Sequence, residues 1–144
     1  MKGKTRKVER RTFKRLETPI PLRISLLGTT RCPRPINAET RTVSLEGLSI
    51  ELHTILKNGS LLIQVGEERI KLIPFLVLNE KMVALDIKVP PTGEWIGATG
   101  RVIWYDFGSK GDSYYFRAGI LLEKMEAEDR KKWEEFVKNI EMNP

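Results

Sequence analysis

The chain is poor in the residues on which many catalytic and metal sites depend: it has one cysteine, Cys32, and one histidine, His53. A single cysteine excludes an internal disulfide and any site built from several thiolates. One histidine argues against a histidine-based metal site and a histidine-dependent triad. The sequence also lacks a glycine-rich phosphate loop and a nucleophile elbow. These absences predict a protein that is not an enzyme and has no metal or cofactor.

Long apolar runs are missing as well. No stretch approaches the roughly 18 apolar residues that a membrane-spanning helix needs. The charged N-terminus has no apolar stretch behind it before Pro19, unlike a secretory signal. A cytoplasmic protein without a membrane span is therefore expected.

Positive charge is concentrated at the N-terminus. Eight of the first fifteen residues are Lys or Arg, against the single acid Glu9, so this segment carries +7. The other 129 residues hold 17 basic and 18 acidic side chains, so the segment accounts for the whole formal charge of +6. Such a distribution predicts an anionic partner bound at one place. We predict a flexible basic arm over residues 1–8 and one domain over residues 9–141.

Short apolar runs broken by Gly, Pro and Asn fill the chain from Pro19 to Glu123. This spacing predicts an antiparallel barrel or sandwich. Tight turns are expected at 57–60, 66–68 and 78–81, and a longer hairpin loop at 108–112. The predicted strands are 20–27, 39–45, 48–53, 61–65, 70–78, 82–89, 98–107 and 114–122.

The period of the apolar residues changes near the C-terminus. Apolar side chains recur there at i, i+3, i+4 and i+7, which predicts an amphipathic helix over about 126–141. We expect its aromatic residues to cover an open side or end of the barrel. The apolar residues of this stripe are Trp133, Phe136, Val137 and Ile140.

Arg11 and Arg15, preceded by Arg10, are the first candidate binding residues. Positions four apart share one face in a helix and also in a strand, so the two side chains can converge on one ligand in either conformation. Each guanidinium can clasp a phosphate or bind O6 and N7 of a guanine. Taken alone, a basic segment is more often solvated or a loose nucleic-acid contact.

A turn between two predicted strands is the second candidate. Ser44 can donate and accept hydrogen bonds, and Gly47 permits a positive φ or the close approach of a bulky group. The alternative is a plain strand–turn–strand in which Gly47 serves only the backbone.

These two features, with two later ones, resemble a PilZ domain. That family's signature is RxxxR followed by [D/N]xSxxG, and its last two strands carry characteristic glycine and aromatic positions. The resemblance covers about residues 9–141 and implies a six-stranded antiparallel β-barrel with a C-terminal helix. The matching segments are Arg11-x-x-x-Arg15, x-x-Ser44-x-x-Gly47, Gly100-Arg101-Val102-Ile103-Trp104 and Tyr115-Phe116-Arg117-Ala118-Gly119-Ile120.

The resemblance also implies a ligand, because PilZ domains are best known as receptors for the bacterial second messenger cyclic di-GMP. Carried over, Arg11 and Arg15 bind phosphates and guanine edges, and Arg10 assists. Ser44 contacts a guanine or its phosphate, and Gly47 leaves room in the turn. On this view the arginine motif closes over the dinucleotide against the barrel and passes the signal to an unidentified downstream protein.

The chain departs from the family pattern at two places. Thr42 stands where the signature has Asp or Asn, which predicts weaker nucleotide binding, by roughly tenfold or more, or none. The segment 61–78 exceeds a minimal six-stranded plan, and we expect it to add a hairpin or to lengthen two strands. Trp104 either borders the ligand or, as is more common for a large aromatic in a barrel strand, belongs to the core.

Three functions stay open from the sequence. The first is the cyclic di-GMP receptor. The alternative is a degenerate PilZ-like domain that binds no nucleotide and acts in protein–protein interaction, which Thr42 and segment 61–78 motivate. Non-specific DNA or RNA binding is disfavoured, because Phe13 is the only aromatic before Phe75 and base stacking needs exposed aromatics.

Overall fold

The computed structural model describes residues 16–26, 35–65, 67–71 and 82–142. Within these ranges the chain forms nine strands and one helix. The elements are β1 Leu16–Glu17, β2 Pro21–Leu26, β3 Ile36–Val43, β4 Gly47–Lys57, β5 Ser60–Val65, β6 Glu68–Lys71, β7 Met82–Val89, β8 Glu94–Lys110, β9 Ser113–Lys124 and α1 Ala127–Met142.

Some predicted features fall outside the described residues. They are the arm 1–8, the arginine motif Arg10, Arg11 and Arg15, the turn at 78–81 and most of the predicted strand 70–78.

Six strands close into an antiparallel barrel. They run in the order β3-β2-β7-β8-β9-β4, and the pairing of β3 with β4 closes the ring. This confirms the predicted six-stranded barrel. The predicted extra hairpin is also present: β5 pairs with the far end of β4 through Ile55↔Leu62, and β6 pairs with β5. The short strand β1 pairs with β3, next to the stretch that pairs with β2.

Alternation of side chains explains why these segments form barrel strands. In β7 every second residue points inward: Val83, Leu85, Ile87 and Val89 are all buried, and the residues between them are more exposed. Because successive side chains of a strand face opposite sides, this spacing fills the barrel interior from one face of the strand. Each buried aliphatic side chain stabilises the fold by about 1.5–3 kcal/mol.

Several of the hairpin turns contain a glycine with positive φ. Asn58 and Gly59 have φ of 52° and 78°, which joins β4 to β5 with the twist that a two-residue hairpin needs. The predicted loop at 108–112 is too long, because β8 continues through Lys110 and only Gly111 and Asp112 form the turn. Gly108 pairs with Tyr115 of β9 within this ladder, and its missing side chain leaves room for the Tyr115 ring.

Helix α1 packs on the barrel, as predicted. Trp133, Phe136 and Val137 are buried. The helix begins beside β8, where Asp129 Oδ2 accepts a hydrogen bond from the Gly97 amide at 3.1 Å. Among the described residues, no helix is long and apolar enough to cross a bilayer.

Candidate ligand-binding site

An open pocket of about 190 Å³ lies on the outer surface of the barrel. One side is the turn between β3 and β4, with Thr42, Ser44 and Gly47. The other side is the β8–β9 hairpin, with Trp104 and Gly119. Of the seven predicted site residues, the structure brings four together here: Thr42, Ser44, Gly47 and Trp104.

The Ser44 hydroxyl closes the turn on itself. The Ser44 amide donates to the Gly47 carbonyl at 2.8 Å. The Ser44 hydroxyl donates to the same carbonyl at 3.2 Å and accepts from the Gly47 amide at 3.2 Å. Ser44 therefore shapes the pocket wall through its own turn, and one lone pair of its hydroxyl is left for a ligand.

Gly47 is required by the close approach of a neighbouring strand. It lies opposite Leu121 of β9, and a Cβ atom at this position would collide with the carbonyl oxygen of Ile120. Its φ is not positive, unlike those of Gly59, Gly93 and Gly111. The bulky group that Gly47 admits is thus the backbone of β9.

Ser49 is a pocket residue that the sequence did not reveal. Its hydroxyl lies 2.7 Å from the Thr42 hydroxyl and accepts a hydrogen bond from the Thr42 amide at 3.2 Å. The two residues are direct partners across β3 and β4. The signal was present, because Ser49 follows Gly47 by two positions and so shares its face of the strand.

Trp104 is a surface residue, so of its two predicted positions the alternative in the core is wrong. Its side chain is 39% exposed and lies over Gly119, its cross-strand partner. Val102, two residues earlier, is buried. The register of β8 shifts between Val102 and Trp104, and this bulge turns the indole outward against the usual alternation. Bulges of this kind leave little trace in the sequence.

The turn is also held from behind by α1. The indole Nε1 of Trp133 donates to the carbonyl of Ser44 at 3.1 Å and to that of Leu45 at 3.3 Å. The Leu122 amide donates to the Glu46 carbonyl at 2.8 Å. Because Trp133 is fully buried, the pocket turn is anchored directly to the hydrophobic core.

An ion-pair cluster lies on the barrel surface near the pocket. Glu51 Oε1 accepts hydrogen bonds from Arg41 at 3.0 Å and from Arg117 at 2.8 Å. The guanidinium of Arg117 also stacks on the ring of Tyr115, 4.3 Å from its centroid. The hydrogen bond from Arg117 is the main cause that lowers the pKa of the Glu51 carboxyl.

Stability should therefore depend on Glu51 at acid pH. Its folded-state pKa lies below the ordinary value of 4.5, so the ionised pair contributes stability that is present above that pH and is lost as the pH falls through the folded-state pKa. When the urea concentration at the unfolding midpoint is plotted against pH, the decrease at acid pH should be less steep for Glu51→Gln than for wild type. The control is Glu135→Gln on the exposed face of α1, which should leave this decrease unchanged. A Glu51→Gln curve parallel to wild type would contradict this role.

The start of β1 borders the same turn. Leu16 pairs with Val43, and Glu17 pairs with Thr42. Leu16, the first described residue, therefore lies beside Val43, the residue that directly precedes Ser44. The described residues contain no group of three or more His, Cys, Asp and Glu side chains that could hold a metal ion.

Sequence comparisons find no relative: no protein-family model and no curated protein matches the chain. Solved structures do match. The PilZ domain of YcgR from Escherichia coli, solved with c-di-GMP, is 11% identical with a TM-score of 0.57, and the match covers 92% of both chains. PlzA of Borreliella burgdorferi, in complex with c-di-GMP, is 9% identical with a TM-score of 0.57 over 97% of this chain.

A third match is the inhibitor of motility of Bacillus subtilis, 14% identical with a TM-score of 0.56 over 94% of this chain. This chain spans only 58% of PlzA and 53% of the motility inhibitor. The agreement with YcgR, by contrast, runs over nearly the full length of a single PilZ domain. The chain therefore has the fold of a PilZ domain.

Proposed function

We propose that the protein is a cyclic di-GMP receptor, a binding module in which the arginine motif closes over the dinucleotide against the pocket. The observation that carries this proposal is the pairing of β1 with β3. It brings Leu16 beside Val43, at the edge of a pocket that already gathers Thr42, Ser44 and Gly47. The residue that directly follows the RxxxR motif in the sequence, Leu16, is thus paired with the residue that precedes Ser44.

Covalent geometry supports this arrangement. Arg15 is bonded to Leu16, so its Cα atom lies about 3.8 Å from the Leu16 Cα. Arg11 is five residues from Leu16 and can be at most about 18 Å away along the chain. The chain is thus long enough for both guanidinium groups to reach a ligand in the pocket, where they would meet its phosphates and guanine edges.

The size of the pocket also favours a ligand enclosed by the arginine motif. Pockets for ligands of drug size usually measure about 300–1,000 Å³. The described pocket of about 190 Å³ can surround only part of a dinucleotide. The remainder needs a further wall, and the motif before Leu16 is the adjoining stretch of chain.

Trp104 is proposed to support a guanine ring. Its indole is part of the pocket wall, rests on Gly119 and is partly exposed. Stacking of a base on an aromatic side chain contributes about 1–3 kcal/mol. Stacking adds affinity but does not distinguish one base from another, so selectivity between bases must come from polar groups.

The test is a matched pair of glycine variants, measured by calorimetric titration with cyclic di-GMP. In Gly119→Ala the added Cβ atom would collide with the Trp104 indole and displace it, which should weaken binding of cyclic di-GMP about tenfold. Gly108→Ala displaces the Tyr115 ring in the same way on the same hairpin, but outside the pocket, and should leave affinity within about twofold of wild type. Equal losses in both variants, or none in Gly119→Ala, would refute the stacking role.

A second candidate is the nucleotide-free interaction module. The observation in its favour is a cluster of exposed aromatics near the end of the β8–β9 hairpin. Tyr105, Phe107 and Tyr114 are 37%, 42% and 38% exposed. If neither the wild type nor Thr42→Asp binds cyclic di-GMP at millimolar concentration, this function is favoured over the receptor.

A further inference from the structure

The hydroxyl groups of Thr42 and Ser49 form one neutral unit in the pocket wall. Their oxygens are 2.7 Å apart, and the Thr42 amide donates to Ser49 Oγ at 3.2 Å. Both residues are half-buried and line the pocket. An aspartate at Thr42 would instead present two acceptor oxygens and a charge.

The hydrogen atoms of this unit can be counted. Each hydroxyl has one hydrogen and two lone pairs. Their mutual bond uses one hydrogen and one lone pair, and the Thr42 amide uses one lone pair of Ser49. Whichever hydroxyl donates to the other, one hydrogen and two lone pairs are left for a ligand. The unit can therefore donate and accept at the same time.

That combination suits both purines. The Watson–Crick edge of guanine has two donors, N1–H and N2–H, which a carboxylate can satisfy. The edge of adenine has one donor, N6–H, and one acceptor, N1. A carboxylate only accepts, so it faces the lone pair of adenine N1 without a hydrogen bond. The hydroxyl unit can accept from N6–H and donate to N1, and it can equally accept from guanine.

We infer that the Thr42–Ser49 unit does not discriminate between the two purines, so that the site takes cyclic dinucleotides containing adenine as well as guanine. This inference rests on the proposed receptor function and names its ligand class more broadly. On this view, Thr42 in place of the signature Asp or Asn broadens the nucleotide specificity of the site and does not abolish binding.

One other pocket residue could restore a preference for guanine. Glu46 has the only carboxylate among the described residues that line the pocket. Its side chain is exposed, and its carbonyl oxygen, which accepts from the Leu122 amide, fixes only its backbone. Glu46→Gln therefore belongs in the experiment, and it should leave the ratio of affinities for the two ligands unchanged.

The experiment measures the dissociation constants of cyclic di-GMP and cyclic di-AMP for wild type, Thr42→Asp, Ser49→Ala and Glu46→Gln by calorimetry. Thermal melting checks that each variant is folded. Wild type should bind both ligands. In Thr42→Asp the preference for cyclic di-GMP should rise about tenfold over wild type, whereas Ser49→Ala should weaken both ligands by similar factors. A contact of the arginine motif with guanine O6 and N7 would by itself disfavour adenine, so binding of both ligands by wild type requires that the motif hold the dinucleotide through its phosphates. Any such contact is common to wild type and Thr42→Asp, so it cancels when their preferences are compared.

The outcomes separate this inference from the proposed function. Wild type that binds cyclic di-GMP but not cyclic di-AMP overturns the inference alone. The same is true if Thr42→Asp has the wild-type preference, or if Glu46→Gln lowers it. Wild type that binds neither ligand overturns the receptor function and this inference with it.

Discussion

Arg15→Ala should reduce the affinity for cyclic di-GMP at least 100-fold, and Arg11→Ala should have an effect of similar size. A guanidinium that clasps a phosphate or a guanine edge makes two charge-assisted hydrogen bonds, each of which contributes about 1.5–3 kcal/mol. Their loss amounts to about 3–6 kcal/mol, or at least two powers of ten in the dissociation constant. Calorimetric titration of each variant measures the loss directly.

Lys4→Ala is the matched control. It removes one positive charge from the same N-terminal segment but lies outside the arginine motif. Such a change affects long-range attraction and should weaken binding only a few-fold, with a dependence on salt concentration. If Lys4→Ala and Arg15→Ala cause equal losses, the segment acts through net charge and the motif has no specific role.

Trp133→Ala should destabilise the domain by about 3–5 kcal/mol, the usual cost of truncating a buried tryptophan. Trp133 is fully buried, packs against Phe136 at a ring-centroid distance of 5.6 Å, and donates to two carbonyls of the pocket turn. Truncation therefore removes core packing and the anchor of the turn together. Urea unfolding of the free protein gives the change in stability.

Trp133→Phe separates these two contributions. The phenyl ring keeps much of the packing, but it has no N–H, so the carbonyls of Ser44 and Leu45 lose their donor. We expect a smaller loss of stability, with a weaker affinity for cyclic di-GMP because the turn is less well fixed. A variant that loses stability but keeps wild-type affinity would show that Trp133 supports only the core.

The barrel was predictable because its signals are local and repeated. Alternating apolar residues in β7 and the Asn58-Gly59 turn each specify one element, and the spacing of Trp133, Phe136 and Val137 specifies the helix. Errors occurred where a tertiary contact changed a local rule. Gly108 looks like a loop residue, but it lies in a strand because it pairs with Tyr115 of β9, whose ring fills the space above it.

The site was predictable only as far as a short motif could identify it. Ser44, Gly47 and Thr42 follow from the resemblance to PilZ domains, but their physical roles do not. Gly47 is needed for the approach of β9, and Thr42 acts together with Ser49. The outward position of Trp104 depends on a bulge that no residue pattern marks.

The most direct test of the receptor function is an NMR titration with cyclic di-GMP that follows the three indole N–H signals. Trp104 lines the pocket, and the Trp133 indole donates a hydrogen bond to the pocket turn. Trp95 lies on the same strand as Trp104 but nine residues away, or about 30 Å along the strand. We expect a large saturable shift for Trp104, a smaller one for Trp133 with the same midpoint, and none for Trp95. No saturable shift at Trp104, or equal shifts at all three indoles, would contradict the receptor function.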